Sequence, residues 1–399
     1  MDLLKLLNLK IDDYTKMKKI LLLHNEYKEK GGEDIAVDSE ISLLESKYNL
    51  KVLKFNNSIE KPYQQFISFL TLSNHQSNKL IKENIESFSP DVIYIHNTWF
   101  KISLGIFKLL NSYKIPVFIK LHNFRYNCTK SFFFKNHIDS NDFCPACGIK
   151  NKRRIFNKYF PNSYLKSFAM INYGIKFFKI IKSCQFKLIV LTEFHKEYLE
   201  YLKIPKEIVN VYPNYLDVDL SKQELKNEEK YLIYAGRISA EKGVEELIKS
   251  FLDAQLLGFE LKIVGDGPLR KDLMKIYKQG NINFLGYQDN KKVLELISSS
   301  NGVITGTKLY EGQPTLLCEA SLLGVPSIFP KNGGISEFFP NDYEYSYDMD
   351  IKNDLTNKLI KFYENINQNE DIGNVNKKFV TKKLEKNKLI SKFENIVGI

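Results

Sequence analysis

Two doubly wound α/β domains, each built on a parallel sheet with both faces covered, are what this sequence predicts. Three observations carry the expectation. Short apolar runs of strand type alternate with helical segments from Lys19 to Val211, the pattern of βαβ units. Leu220 to Lys230 (LSKQELKNEEK) is charged, short of apolar residues and lies between two strands, where a domain boundary belongs. Beyond it the order strand, glycine turn, helix begins again, and 399 residues suffice for two cores of ordinary size. The expected division is a first domain over residues 1–219, a second over 220–382, and a C-terminal helix over 383–399 placed to pack back on the first domain.

In chain order, residues 1–11 (MDLLKLLNLKI) lack the small-residue cleavage site of a secretory signal, and Met17-Lys18-Lys19 opens the first strand. Residues before it read as an appendage, either a short amphipathic helix or the product of a mis-assigned start. Lys19 to His24 (KILLLH) is a buried-type strand, followed by Gly31-Gly32 and an amphipathic segment with Ile35, Val37, Ile41 and Leu44 on its apolar side. Two glycines there let backbone approach a ligand closely. Further strands are expected at Leu50 to Phe55, Val92 to His96, Pro116 to Leu121, Leu188 to Leu191 and Ile208 to Val211. His96 and His122 stand at strand ends, and open α/β sheets bind ligands beyond the carboxyl ends of their strands. A histidine at either place serves a substrate or a structural hydrogen bond; Asn123 and Arg125 beside His122 favour the first use.

Residues 128–161 break the alternation. Cys128, Cys144 and Cys147 (the last two in CPAC) are candidate ligands of a structural zinc, with His137 and His195 the nearby imidazoles, although no fourth ligand is evident and reduced thiols are the default. Lys150, Lys152, Arg153 and Arg154 follow, and then Ser163 to Lys182 reads as an aromatic, lysine-rich helix whose face suits either core packing or a membrane interface.

The second half repeats the unit: strand Tyr231 to Ala235, turn Gly236-Arg237-Ile238-Ser239, helix Gly243 to Gln255, strand Leu261 to Val264, turn Gly265-Asp266-Gly267-Pro268, helix Leu269 to Lys278. Arg237 and Lys242 at a strand end beside a helix start make a plausible diphosphate site. Position 270 is Arg, so the third glycine of a dinucleotide fingerprint is missing. Strands at Ile282 to Leu285 and Val303 to Thr305 lead to LYEGQPTLLCEASLLGVPSIF, residues 309–329. There Glu311, Gly312 and Pro314 precede an apolar-periodic helix that carries Glu319 two turns in and stops at Gly324. Pro314 suits the first turn and Gly324 the end. The amides of Thr315, Leu316 and Leu317 are free to receive an anion, and acids suit sugar hydroxyls. A solvated helix with two unrelated glutamates is the bland alternative.

These motifs carry a resemblance. YAGRISAEKGVEELIKSF, VGDGPLR, FLGY, EGQPTLLCEASLLGVP and Gly333-Gly334 in the second half, with GGEDIAVDSE, HNTWF, LHNFR, LTEF and PNYLD in the first, resemble the family 4 retaining glycosyltransferases. The resemblance spans nearly the whole chain and is weakest over residues 128–161, where Tyr159 and Phe160 stand near a position at which relatives often carry a further cysteine. It implies the GT-B fold, two Rossmann-like domains facing a central cleft. It also implies that Arg237 and Lys242 neutralise a donor diphosphate, that Glu319 binds ribose hydroxyls, and that Glu311 binds the donor sugar. His122 would face the sugar, and the amides around Gly31, Gly32, Gly312, Thr315 and Leu316 would complete the donor site. No metal or other cofactor is required on this reading, because fixed cations hold the leaving group. Asp217 with Asp219, and Asp348 with Asp350, imitate a metal-binding pair but read as solvated acids.

Charge is uneven. Residues 1–220 hold 33 Lys and Arg against 22 Asp and Glu, and residues 101–190 hold 17 against 2, while the remainder is neutral. Such a field favours anionic partners, whether nucleic acid, a negatively charged membrane surface or a diphosphate-bearing lipid, with a Lys-rich drift and no partner as the alternative. With no run of about 18 apolar residues a spanning helix is not expected. The expectation is a cytoplasmic enzyme peripheral to the inner face of the cell membrane, passing a hexose or N-acetylhexosamine from a nucleotide diphosphate, UDP by preference, to a lipid-linked, oligosaccharide or envelope polysaccharide acceptor of the lipopolysaccharide or capsule kind. No nucleic acid is expected as a partner. A nucleotide-sugar epimerase on the same scaffold and a catalytically silent binding subunit are the alternatives.

Overall fold

The computed structural model describes residues 17–26, 31–57, 67–68, 71–124, 163–183, 186–218, 229–278 and 280–399. They divide into two compact units: one reaches Tyr215 and takes in Lys386–Ile399, and the other holds Leu216–Glu385.

The first unit contains β1 (Lys19–Glu26), β2 (Asn49–Asn56), β3 (Val92–Asn97), β4 (Val117–Leu121), β5 (Lys187–Val190) and β6 (Val209–Val211) in the order β2-β1-β3-β4-β5-β6. Every pairing is parallel. Ile20 to Leu23 and Val92 to Ile95 are buried residue after residue, which is why these strands read as continuous apolar runs and not as alternation. Helices connect the strands. Helix His75–Phe88 starts where the Asn74 side chain accepts from the amides of Gln76 and Ser77, and helix Glu193–Tyr201 starts where Thr192 accepts from His195.

Beneath the carboxyl edge of this sheet lies a charged pair with no exposure. Lys120 Nζ is 2.6 Å from Glu40 Oε2, and Tyr94 donates its hydroxyl to Glu40 Oε1 at 2.7 Å. Burial pushes the Lys120 ammonium down against the opposing pull of Glu40 and raises the Tyr94 phenol. Helix Lys386–Val397 closes over this region. The ring of Phe393 lies 5.9, 5.4 and 5.7 Å from those of Tyr48, Tyr94 and Tyr212, and Lys47 Nζ is 2.5 Å from Glu394 Oε1. Full burial of one such aromatic contributes about 1.5–3 kcal/mol.

The second unit contains β7 (Lys230–Ala235), β8 (Phe259–Val264), β9 (Ile282–Gly286), β10 (Gly302–Ile304), β11 (Ser327–Pro330) and β12 (Ser346–Tyr347) in the order β12-β11-β10-β7-β8-β9, again all parallel. Leu232, Val244, Leu247, Phe251, Leu261 and Phe362 belong to its core. The turns that follow β7, β8 and β9 are stitched together. Gly236 donates to Val264, Ile238 to Asp266 and Gly265 to Gly286. A Cβ on Gly265 would lie 1.9 Å from Gly236 O, and one on Gly267 would lie 2.3 Å from Ile238 O. Glycine in the Gly265-Asp266-Gly267 turn is therefore required by the protein's own backbone.

Three local expectations shift. The helix after β7 is Val244–Asp253, because Ala240–Lys242 forms a separate 3-10 turn that ends at Gly243 in the left-handed region. Pro314 is the N-cap of helix Thr315–Leu322 and not its first residue, so Glu319 lies little more than one turn in instead of two. Asp348 and Asp350 are not simply solvated: Asp348 accepts from the amide of Asp350, and its own amide donates to Asp354.

Candidate functional site

In the second unit the loop after β7 and the loop before helix Thr315–Leu322 meet. Lys242 Nζ is 2.5 Å from Glu311 Oε1, and the buried Thr307 hydroxyl donates to the same oxygen at 3.0 Å. The backbone of Glu311 is fixed from the other side. Gly334 donates to Glu311 O, and Glu311 forms a parallel bridge with Gly333, which is left-handed with φ 63°. A Cβ on Gly333 would lie 2.6 Å from Glu311 O, so only glycine allows the two segments to approach this closely. The NGG motif thus serves to hold the acidic loop. A second close approach, Gly243 against Gly306 O with 2.0 Å left for a Cβ, brings Lys242 up to this loop.

Arg237 is exposed and makes no ion pair among the described residues. The first bond of helix Thr315–Leu322 runs from the Cys318 amide to Pro314 O, which leaves the amides of Thr315, Leu316 and Leu317 ahead of the helical ladder. Glu319 is hydrogen-bonded to Asn290 at the start of helix Asn290–Ser298. It is buried, and burial raises its carboxyl from the usual 4.5 to about 7 while the Asn290 hydrogen bond pulls the other way. Such a group both donates to and accepts from a diol near neutrality. Gly312 lies in the turn between Glu311 and the buried Gln313. Cys318 is a free cysteine with no exposure, packed as a small buried hydrophobe.

In the first unit His24, His96 and His122 gather at the carboxyl ends of β1, β3 and β4. His96 Nδ1 lies 2.9 Å from His122 Nε2, with the rings stacked at 5.2 Å. Burial first, then the neighbouring Lys120 and His24 charges, hold the His122 imidazole well below its usual 6.5; burial first and then His122 do the same for His96. Both rings are therefore neutral at pH 7. Gly31 is the N-cap of helix Gly32–Glu45, and its amide donates to Asp34 Oδ2 at 2.9 Å while His24 Nε2 lies 2.8 Å from Asp34 Oδ1. One carboxylate thus ties the glycine turn to the end of β1. A Cβ on Gly32 would meet nothing within 4 Å, so packing among the described residues does not demand glycine there.

Sequence reasoning missed His24, Asp34, Thr307 and Asn25. The Asn25 side chain accepts from the amides of Lys101 and Ile102 and donates to Asn57 Oδ1, joining three strand ends. The one available signal was position: His24, Asn25 and Thr307 lie at or just after the carboxyl end of a predicted strand, and Asp34 lies in the first turn of the helix after the Gly31-Gly32 turn. Arg125, Cys128, Cys144, Cys147, Lys150, Lys152, Arg153 and Arg154 lie outside the described residues. Among those that are described, no cluster of three His, Cys, Asp or Glu is arranged to hold a metal, and no helix is long and apolar enough to cross a membrane.

Residues 217–379 match the family described as Glycosyl transferases group 1. The match lies within the second unit and covers about two fifths of the chain, so it marks a likeness of that unit to the group 1 glycosyl transferases. Among curated relatives, the amylovoran biosynthesis glycosyltransferase AmsD of Erwinia amylovora is 29% identical over 164 residues, covering 39% of this chain and 46% of the relative. The putative teichuronic acid biosynthesis glycosyltransferase TuaC of Bacillus subtilis is 32% identical over 115 residues, 28% of this chain and 27% of the relative. The matches thus span half or less of these relatives. Solved structures resemble the chain over almost its full length. Sucrose-phosphate synthase from Thermosynechococcus elongatus superposes with a TM-score of 0.69 at 15% identity, over 95% of this chain and 98% of that one. Anabaena Alr3699/HepE in complex with UDP and glucose does so with a TM-score of 0.65 at 15% identity, over 96% and 99%. At such identities the likeness is one of fold, and the fold is GT-B.

Proposed function

We propose that this protein is a group 1 glycosyltransferase that transfers a hexose or N-acetylhexosamine from a nucleotide diphosphate sugar, UDP by preference, to a lipid-linked or envelope polysaccharide acceptor with retention and without a metal. The observation that carries the reading is the Lys242–Glu311–Thr307 cluster, set beside the exposed Arg237 and the leading amides of a helix. Lys242 and Arg237 supply the positive charge that a departing diphosphate develops against. Glu311, released from Lys242 when phosphate competes for the ammonium, accepts hydrogen bonds from donor-sugar hydroxyls. The buried Glu319 takes the ribose diol, and His122 presents a neutral ring to the sugar. Retention is then a front-face displacement: the acceptor oxygen bonds to the anomeric carbon as the bond to phosphate breaks, and its proton passes to a phosphate oxygen.

The names of AmsD and TuaC supply the polysaccharide context, and the UDP of Alr3699/HepE the donor class. A peripheral place at the inner membrane face is supported by helix Tyr164–Ser183, on which Tyr164, Leu165 and Phe168 are exposed, within the basic stretch 101–190. Incubation with a panel of sugar nucleotides, with and without lipid-linked acceptor, tests the reading. Nucleoside diphosphate should appear with one donor and depend on acceptor. Glu311→Ala should abolish it while leaving nucleotide affinity within about threefold, the effect of losing a contact made to sugar alone. Donor epimerised in the absence of acceptor, or Glu311→Ala losing nucleotide binding with transfer intact, would overturn it.

A further inference from the structure

We infer that His96 is a positioning residue that fixes His122 in the tautomer carrying its proton on Nδ1, so that His122 offers a hydrogen-bond donor to its ligand. This rests on the proposed role of His122. The two rings share one hydrogen bond, His96 Nδ1 to His122 Nε2 at 2.9 Å, which allows two arrangements. In the first, His96 Nδ1–H donates, His96 Nε2 is a bare lone pair, and His122 carries its proton on Nδ1. In the second, His122 Nε2–H donates, His96 must carry its own proton on Nε2, and His122 Nδ1 is an acceptor.

The surroundings of His96 choose between them. Its Nε2 is buried and has no hydrogen-bond partner among the described residues, and the ring is packed between Tyr94, 4.4 Å away, and His24, 6.2 Å away. The second arrangement would strand an N–H there, and orphaned buried N–H groups are rarer than under-satisfied acceptors. The first strands only a lone pair. A doubly protonated His96 would strand the same N–H on Nε2, and burial together with the charge of Lys120 disfavours a cation on either ring. In a coupled pair of this kind the tautomer of the outer ring is set by the bond the inner ring makes.

The consequence for recognition is specific. A His122 held as Nδ1–H donates to a hydroxyl or ring oxygen of a sugar; it cannot accept a hydroxyl proton, so it is not a general base. Asn at position 96 keeps a short donor in place of Nδ1–H, whereas Phe keeps the ring and removes the donor.

Nitrogen-15 NMR of histidine-labelled protein reads the tautomer directly and does not depend on activity. Signals are assigned by the loss of a ring in His96→Asn and in His122→Gln. The wild type should show His122 protonated on Nδ1 with Nε2 unprotonated. In His96→Phe the ring should become a mixture of tautomers, and transfer should drop about tenfold with KM for the donor nearly unchanged; His96→Asn should recover most of both. His122 protonated on Nε2 in the wild type would overturn the inference. So would a His96→Phe protein with His122 unaltered. Absence of transferase activity with the expected tautomer would instead count against the proposed function alone.

Discussion

Burial raises the Glu319 carboxyl from the usual 4.5 to about 7, so near neutrality it is divided between charged and neutral forms. The folded protein holds this proton more tightly than the unfolded chain. The stability it supports is therefore complete below pH 4.5 and falls as pH rises from 4.5 through 7, by an amount on the order of 3 kcal/mol. Glu319→Gln cannot ionise and escapes that loss. In urea titrations across this range the variant should gain steadily on the wild type and hold a constant lead above pH 7; parallel curves would contradict the account. The proposed role in binding a ribose diol has the opposite preference, since the charged form is the better acceptor. Sequence reasoning found Glu319 as a candidate but not this tension, because a helix pattern does not say which of its acids is covered.

Among the turns, the same residue type has two different causes. Gly243 lies with φ 62° against Gly306 O, where a Cβ would come within 2.0 Å, whereas a Cβ on Gly32, which opens a helix, would meet no described residue within 4 Å. Gly243→Ala should lower the melting temperature by several degrees, since left-handed backbone costs an L-residue about 1–2 kcal/mol before any clash. Gly32→Val should leave the melting temperature within about two degrees yet, if the donor lies against this turn as proposed, reduce donor turnover at least tenfold. A Gly32→Val protein with an unchanged melting temperature and full activity would remove this turn from the proposed site. The turns themselves were legible as strand, glycine, helix. What separates them was not, because the packing partner of Gly243 is Gly306, sixty-odd residues on. The Lys120–Glu40 pair and the Asp34 bridge escaped for a related reason: in sequence a buried charge is indistinguishable from a solvated one until its partner, from another element, is placed beside it.

For the whole molecule, the alternation of buried strands with helices carried two parallel sheets into view from sequence, and the two compact units divide between Tyr215 and Leu216. Charge asymmetry belongs to this scale as well. If the basic stretch and the exposed aromatics of helix Tyr164–Ser183 dock on a membrane, the protein should sediment with anionic but not zwitterionic vesicles. Each Lys or Arg near the surface contributes about 1 kcal/mol, and salt shortens the reach of that attraction to about 10 Å at 0.1 M. Binding should therefore fall steeply with salt, and equal binding to both vesicle types would remove the electrostatic explanation.

The claim at the centre is that Arg237 and Lys242, not a metal, hold the leaving diphosphate while the acceptor attacks from the same face. It is tested most directly by following one transfer reaction in excess EDTA and reading the anomeric configuration of the product by proton NMR. The account predicts an undiminished rate and a product with the configuration of the donor. A rate restored only by manganese or magnesium, or a product of inverted configuration, would contradict it.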